Sequence, residues 1–302
     1  MNTKYNSKNH QIIINQLLHE GNILKATLLY KKAYEKFRND IAFLFDIALY
    51  YHTYMSPEEA LVYYDEIIQK DDTAQGAYYG KALLFEELKR LKEAKLQYAL
   101  AIEKDPNYTE AHLNLADLLE DEGNHDQAEK HFIRAISISP DWDVCFINYS
   151  SFLENNNRFR EALGQLSKAL IVSEDNHLVY FNRGVILKKI GQLSEAIEAY
   201  NEAIISNPQY PYSYLNLAVI YKESDDYSSA LDVLNNAITH NEEVSVLYYN
   251  RAIMETQLEL LEDAAKDLKR SFALSPSLIP YGKADSELKP LNQDPKWDHI
   301  FV

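Results

Sequence analysis

Alanine recurs along the chain at a fixed period of 34 residues, and this period constrains the fold more than any other feature. It stands at this spacing without an insertion or a deletion at Ala26, Ala60, Ala94, Ala128, Ala162, Ala196, Ala230 and Ala264. With alanine at about one position in ten, eight such matches have a random probability on the order of 10⁻⁸. The period therefore predicts that one small structural unit is repeated along most of the chain.

The repeated unit is predicted to be a pair of antiparallel helices. Apolar residues follow helical spacing, and 8 glycines and 9 prolines in 302 residues are too few for the turns of a β-protein. Turn-compatible residues often stand five positions before the alanines, at Gly21, Gly123, Asn157, Gly191 and Asp225. Proline, which cannot continue a helix, stands where the second helix should end, at Pro106, Pro140, Pro208 and Pro276. The sequence predicts an all-α fold.

This pattern closely resembles the tetratricopeptide repeat (TPR) family, whose 34-residue units place aromatic, small and proline residues at fixed offsets. Residues 177–210 carry nearly all of the family pattern, with Tyr180, Gly184, Leu187, Gly191, Ala196, Tyr200, Ala203 and Pro208. The resemblance implies a right-handed α-solenoid of antiparallel helix pairs. In such a superhelix the first helices line the concave face and the second helices the convex face.

The same register divides the chain into three parts. Eight tandem units cover residues 7–278 and begin at Ser7, Ile41, Gln75, Thr109, Asp143, His177, Pro211 and Ser245. An N-terminal lead, residues 1–6, precedes them. Residues 279–302 are predicted to form a truncated capping helix over 279–288, followed by an apolar tail that folds back against the last units.

One column of the repeat points to a function. Asparagine occupies the sixth position of five consecutive units, at Asn114, Asn148, Asn182, Asn216 and Asn250. An asparagine amide offers donors and an acceptor, so it can pair with a peptide unit of a ligand backbone. This ladder resembles the one that lines the groove of O-GlcNAc transferase and holds substrate peptides. The alternative is that the amides form hydrogen bonds between neighbouring units.

Residues beside the asparagines are predicted to set specificity on the concave face. The peptide-binding candidates are Tyr79, Leu113, Phe181, Tyr249 and Asp117. Apolar and aromatic types dominate, which favours apolar ligand side chains. Lysine and arginine are missing here, so clamping of the carboxylate tail of a heat-shock chaperone is disfavoured. The alternative is that this stripe packs between first helices.

Charge changes sign along the ends of the first helices. The acidic members are Glu86, Glu87, Glu120, Asp121 and Glu154, and the basic members that follow are Lys188, Lys189 and Lys222. This gradient predicts either a ligand that is basic at one end and acidic at the other, or simple solvation of helix ends.

Nothing in the sequence predicts catalysis. It has no phosphate-binding loop, no HExxH or CxxC motif and no nucleophile elbow, so no catalytic residue, metal or cofactor is expected. Cys145, the single cysteine, is expected to be structural. A net charge of −16 disfavours nucleic acid, and short apolar stretches with no signal peptide favour a cytoplasmic protein without membrane contact.

The leading hypothesis is a non-catalytic scaffold that binds an extended peptide segment of a partner protein in its concave groove. The alternative is a structural or assembly protein that acts through its convex face or its termini, with homo-oligomerisation as one form.

Overall fold

The computed structural model describes residues 7–301, and these are helical with no strand among them. The N-terminal lead, residues 1–6, lies outside the described residues. The chain divides into two compact units, Met1–Pro140 and Asp141–Val302, here called unit one and unit two. The expected all-α class of consecutive packed helix pairs is confirmed. No helix of residues 7–301 has both the length and the apolarity that crossing a bilayer requires.

Unit one contains four helix pairs, and each first helix packs most closely on the helix that follows it. Its helices are α1 (Ser7–His19), α2 (Ile23–Phe37), α3 (Ile41–Tyr54), α4 (Pro57–Lys70), α5 (Gln75–Glu87), α6 (Leu91–Lys104), α7 (Thr109–Asp121) and α8 (His125–Ile138). The periodic alanines of its second helices are fully buried, which lets the paired helices approach closely.

Unit two begins with four more pairs. They are α9 (Asp143–Asn155), α10 (Phe159–Val172), α11 (His177–Lys189), α12 (Leu193–Ser206), α13 (Pro211–Glu223), α14 (Tyr227–His240), α15 (Ser245–Gln257) and α16 (Leu261–Leu274). Gly184 on α11 has a direct steric reason to lack a side chain. A Cβ atom on Gly184 would lie 2.7 Å from the ring of Tyr200, which is itself fully buried.

The turn inside seven of the eight pairs contains one residue in the left-handed region. Glycine fills this place at Gly21, Gly123 and Gly191, whereas Asn157 and Asp225 adopt it with φ of 59° and 58°. Lys89 and Glu259 adopt the same conformation, with φ of 58° and 61°. Side chains with a Cβ pay a steric cost there, since the left-handed region costs roughly 1–2 kcal/mol for most residues.

We therefore expect Lys89→Gly and Glu259→Gly each to stabilise the protein by about 0.5–1 kcal/mol. Both side chains are exposed and neither forms an ion pair among the described residues, so the substitutions remove strain without removing a contact. Urea denaturation would measure the change. The matched control is Lys130→Gly in the middle of α8, which should lose about 1 kcal/mol because glycine is a poor helix former. Destabilisation at Lys89 as large as at Lys130 would contradict the expectation.

The C-terminal cap differs in detail from its predicted form. The capping helix α17 runs only over Ile279–Ala284, because Asp285 leaves the helical conformation and accepts a hydrogen bond from the backbone N–H of Glu287 at 2.9 Å. A 3₁₀ turn follows at Ser286–Leu288, and α18 spans Lys289–Asn292. Pro290 lies in the first turn of α18, where its missing N–H has no helical partner to lose.

The tail packs back onto the last helix pair of unit two. Trp297, Ile300 and Phe301 are each 7% exposed or less and belong to one apolar cluster with residues of α14, α15 and α16. The ring of Phe301 lies 5.7 Å from that of Phe272, centroid to centroid. The prediction that the tail folds back against the last units is confirmed by this cluster.

A buried carboxylate in α15 gives unit two a pH-dependent stability. Glu255 is 7% exposed, and its Oε2 has no hydrogen-bond partner among the described residues. Burial, and then the charge of Asp267 on α16, raise its pKa to about 7 from an ordinary 4.5, although Arg251 opposes the shift. Because the folded state holds this proton more tightly than the unfolded state, stability falls as pH rises from about 4.5 to about 7.

Glu255→Gln should remove this loss. The free energy of unfolding of the variant relative to wild type should rise by about 2 kcal/mol between about pH 5.5 and pH 8.5. Urea titrations of both proteins at the two pH values measure that difference. A difference that is the same at both values would show that Glu255 does not titrate in this range.

Candidate functional site

The asparagine ladder lies on the first helices. Asn148, Asn182, Asn216 and Asn250 stand at the sixth position of α9, α11, α13 and α15 in unit two, and Asn114 stands at that position of α7 in unit one. All five side chains are half-buried. Within unit two, the first helix α9 contacts the first helix α11, and α13 contacts α15. The helices α9 and α11 therefore form one continuous face, and so do α13 and α15.

Asn114 forms hydrogen bonds between helices. Its Nδ2 donates to the hydroxyl of Tyr98 on α6 at 3.0 Å and to that of Tyr79 on α5 at 3.3 Å. The Tyr98 hydroxyl in turn donates to the carboxylate of Glu86. Asn114 therefore fits the alternative interpretation of the ladder, in which the amides form hydrogen bonds between neighbouring 34-residue repeats.

Asn216 and Asn250 are partly engaged. Each donates one amide N–H to the carbonyl four residues earlier in its own helix, to Tyr212 O at 2.9 Å and to Val246 O at 2.8 Å. An asparagine amide carries two N–H donors and an oxygen acceptor. Each of these side chains therefore keeps one donor and its acceptor for another partner.

Asn148 and Asn182 have no side-chain hydrogen bond to any described residue, and neither amide is fully buried. Sixteen residues before Asn182 the chain has Leu166, where the same offset from Asn114 gives Tyr98. A leucine offers no hydroxyl, which explains why Asn182 lacks the bond that Asn114 makes. These two amides are the members of the ladder with their full hydrogen-bonding capacity unused.

The flanking candidates mostly serve packing. Leu113 is 3% exposed, so it has almost no surface left for a ligand. The Tyr79 ring lies 5.0 Å from that of Tyr108, centroid to centroid. Phe181 is half-buried, with its ring edge-on to Tyr210 at 5.3 Å. The structure thus supports the packing alternative most strongly at Leu113, and leaves Phe181 partly open.

Tyr249 contacts the C-terminal cap. Its hydroxyl donates to Oδ2 of Asp285 at 2.7 Å, just after α17. Burial and the hydrogen bond to Asp285 raise the pKa of the tyrosine hydroxyl, so it stays protonated and acts as the donor. Tyr249 therefore helps to hold the cap against α15.

Asp117 is the acidic candidate, and it faces other carboxylates within unit one. More than a third of the residue stays accessible to water, yet the surrounding protein desolvates its carboxylate and raises the pKa to about 6. The negative charges of Glu120, Glu86 and Asp121 add to this shift. This part of the first-helix surface therefore carries negative charge that a cation would relieve.

The predicted charge gradient is only half present, because the three lysines are already paired within unit two. The ion pairs are Lys188 with Glu223 at 3.0 Å, Lys189 with Glu154 at 2.6 Å and Lys222 with Glu287 at 3.1 Å. Each ammonium group thus has a carboxylate of the chain itself beside it, and a ligand that is basic at one end and acidic at the other stays a prediction. The acidic character of unit one remains.

Sequence reasoning missed two of these partners. Tyr98 accepts from Asn114 across 16 residues, but that offset alone does not identify the partner, because Tyr200 stands 16 residues before Asn216 and does not bond to it. Glu287 reaches Lys222 across 65 residues, which matches no multiple of the 34-residue period because the cap lies outside the repeats. Within residues 7–301 no three His, Cys, Asp or Glu side chains are arranged to hold a metal ion, and Cys145 is buried.

Comparison with family models finds repeats in both units. A model described as tetratricopeptide repeat matches residues 76–108 and 211–243, and a second one matches residues 98–130. A model described as TPR repeat matches residues 186–225. The matched stretches all lie within the repeats of residues 7–278. A search of the curated proteins found no match.

Solved structures share the fold at low sequence identity. The crystal structure of the APC/C hetero-tetramer Cut9-Hcn1 is similar with a TM-score of 0.57 and 16% identity, over 93% of this chain and 55% of that one. This chain thus spans about half the length of that one. The pilF protein of Pseudomonas aeruginosa is similar with a TM-score of 0.56 and 20% identity, over 74% of this chain and 98% of that one. These likenesses concern the fold.

Proposed function

We propose that this chain, which carries tetratricopeptide repeats, is a scaffold that binds an extended segment of a partner protein along its first helices. Repeats of this family support a protein–protein interaction scaffold. The repeat fold is typically non-catalytic, and we propose that this chain performs no chemistry of its own. The partner segment is proposed to lie in the concave groove of unit two.

The observation that carries the proposal is the unused hydrogen-bonding capacity of Asn148 and Asn182. A side-chain amide on a helix surface that bonds neither to its own helix nor to a neighbour can receive a peptide unit at no cost in existing bonds. Asn114, which is already bound to Tyr98 and Tyr79, lacks that advantage. The ligand-binding part of the ladder is therefore proposed to be its unit-two part.

Spacing supports an extended ligand. Packed helices are separated by roughly 8–10 Å, so the first helices of successive 34-residue repeats lie about that distance apart along the array. An extended chain advances about 3.3 Å per residue. One asparagine would meet the ligand about every third residue, and backbone recognition of this kind tolerates many side-chain sequences.

The experiment uses peptides selected against the full chain. A displayed library of random peptides is panned on wild type, and each recovered peptide is then titrated against wild type and Asn148→Ala/Asn182→Ala. The matched control is Asn201→Ala/Asn236→Ala, which removes two exposed amides from the second helices α12 and α14. Binding that is weakened by the first pair and kept by the second supports the proposal. Equal binding to both variants would refute it.

A second candidate function is assembly through the second helices of unit one. Leu28, Val62 and Leu96 stand 34 residues apart on α2, α4 and α6 and are 60%, 62% and 57% exposed. Three apolar side chains in one column form a stripe suited to another apolar surface. The tail offers no such route, because Trp297, Ile300 and Phe301 are buried within their own chain.

A further inference from the structure

A cavity of about 340 Å³ lies between α1, α2 and α3 in unit one. Its walls combine a carboxylate, aromatic rings and amides, with Asp46, Tyr30, Tyr50, Tyr54, Gln11 and Asn15 among them. None of these residues belongs to the asparagine ladder of unit two. The cavity therefore calls for its own explanation.

Asp46 stands at the sixth position of its repeat, where the later units carry asparagine. It is half-buried, and no described residue forms an ion pair with it. Burial raises the pKa of its carboxyl group, and the charge of Asp40 adds to the shift, although a hydrogen bond from Gln11 opposes it. A carboxylate that is poorly solvated and has no counter-ion is stabilised by an incoming cation.

Tyrosine rings form the wall beside this carboxylate. The Tyr50 ring lies between the other two, with its centroid 4.6 Å from that of Tyr30 and 5.4 Å from that of Tyr54. The Tyr50 hydroxyl is held by Thr27 Oγ1 at 2.6 Å and donates to Ile23 O at 3.2 Å. The ring position is therefore fixed before any ligand enters.

The charge of the carboxylate reaches this wall. Burial and then the negative charge of Asp46 raise the pKa of the Tyr30 hydroxyl, so the ring stays neutral. Tyr54 is 43% exposed and lies at the open side of the cavity. Neutral aromatic faces beside a carboxylate attract an ammonium or guanidinium group through both cation–π and Coulomb interactions.

We propose that this cavity binds a cationic side chain, arginine or lysine, of a partner polypeptide. The carboxylate of Asp46 supplies the counter-charge, the exposed ring of Tyr54 covers the flat or aliphatic part of the side chain, and the amide oxygens of Gln11 and Asn15 accept hydrogen bonds from its outer N–H groups. The acidic surface around Asp117 in the same unit adds attraction for a basic segment.

The cation site rests on the proposed function only for the source of the side chain, which is a partner polypeptide. Its chemistry can be tested with a small probe that makes no use of the asparagine ladder. A failure here would leave the ladder untouched, and a failure of the ladder would leave this site untouched.

The experiment titrates Nα-acetyl-arginine methylamide into isotope-labelled full-length protein and follows the side-chain amide signals of Gln11 and Asn15 by NMR. The lysine analogue is titrated in parallel, and the neutral citrulline analogue is the ligand control, because it keeps the shape of arginine without the charge. Saturable shifts with a Kd in the millimolar range are expected for one or both cations and none for citrulline.

Two variants keep the test independent of folding. Asp46→Asn should weaken binding at least about tenfold through loss of the counter-charge, and Tyr54→Leu about threefold through loss of an exposed ring. Asp232→Asn, which removes an exposed carboxylate from α14, should bind as wild type does. Equal affinity for citrulline, equal binding by Asp46→Asn, or no saturable shift in wild type would each overturn the proposal.

Discussion

Replacing Asn148 and Asn182 together by alanine is expected to weaken binding of a selected peptide by about 30- to 100-fold. Each amide can donate one hydrogen bond to the ligand backbone and accept another, so four bonds are lost, and a net contribution of about 0.5–0.7 kcal/mol per bond gives a loss of this size. The folded chain makes no use of either side chain among its described hydrogen bonds, so stability should change by less than about 0.5 kcal/mol. Calorimetric titration and a urea denaturation curve measure the two quantities.

Asn114, in unit one, is expected to respond differently from Asn148 and Asn182 in unit two. Asn114→Ala removes two hydrogen bonds inside unit one, to Tyr98 and to Tyr79, and therefore should cost about 1–2 kcal/mol of stability while changing peptide affinity little. Alanine at position 114 is thus expected to lower stability and leave peptide affinity unchanged, whereas alanine at positions 148 and 182 is expected to lower affinity and leave stability unchanged. If Asn114→Ala and the double variant weakened binding equally, the division of the ladder into structural and ligand-binding parts would be wrong.

The second large effect concerns the tail. Deleting residues 291–302 removes four buried apolar side chains, Leu291, Trp297, Ile300 and Phe301, from the cluster that covers α16. Trp297→Ala alone should cost about 3–5 kcal/mol, and the deletion at least as much, because the remaining face of α16 would meet water. Thermal unfolding followed by circular dichroism should show unit two melting at a clearly lower temperature.

The control for the tail is Tyr281→Ala in α17, whose side chain is 69% exposed and should contribute less than about 0.5 kcal/mol. Light scattering of the deletion variant separates the two roles that the sequence allowed for the tail. Loss of stability with unchanged mass marks a cap, whereas loss of a wild-type dimer with unchanged stability would mark an assembly contact.

Much of the fold follows from the period of the sequence. The same phase that aligns the alanines also places the left-handed turn residues, and the glycines in that column mark it. Lys89 and Glu259 are not glycines, yet they adopt a similar φ. The packing of the helix pair fixes the turn, so these residues adopt the left-handed conformation despite its steric cost. Residue type alone therefore could not identify every member of the column.

The site was less predictable for a related reason. Five asparagines share one column, but they differ in their hydrogen bonds: Asn114 bonds to Tyr98 sixteen residues earlier, whereas Asn216 bonds to its own helix although Tyr200 stands at that same offset. The ion pairs Lys188–Glu223 and Lys189–Glu154 each span 35 residues, which the period would have indicated. The repeat period could not predict the pair Lys222–Glu287, because Glu287 lies in the C-terminal cap, outside the repeats.

The most direct measurement is an N-methyl scan of a selected peptide. Methylation of one backbone nitrogen at a time removes one N–H and leaves every side chain in place, so each loss of affinity reports a backbone contact. If asparagines of successive units hold an extended backbone, affinity for wild type should fall at every third residue or so, as their spacing requires. The losses at the positions that contact Asn148 and Asn182 should vanish in Asn148→Ala/Asn182→Ala. A scan without this period, or one that is identical in the double variant, would show that the ladder does not bind a peptide backbone.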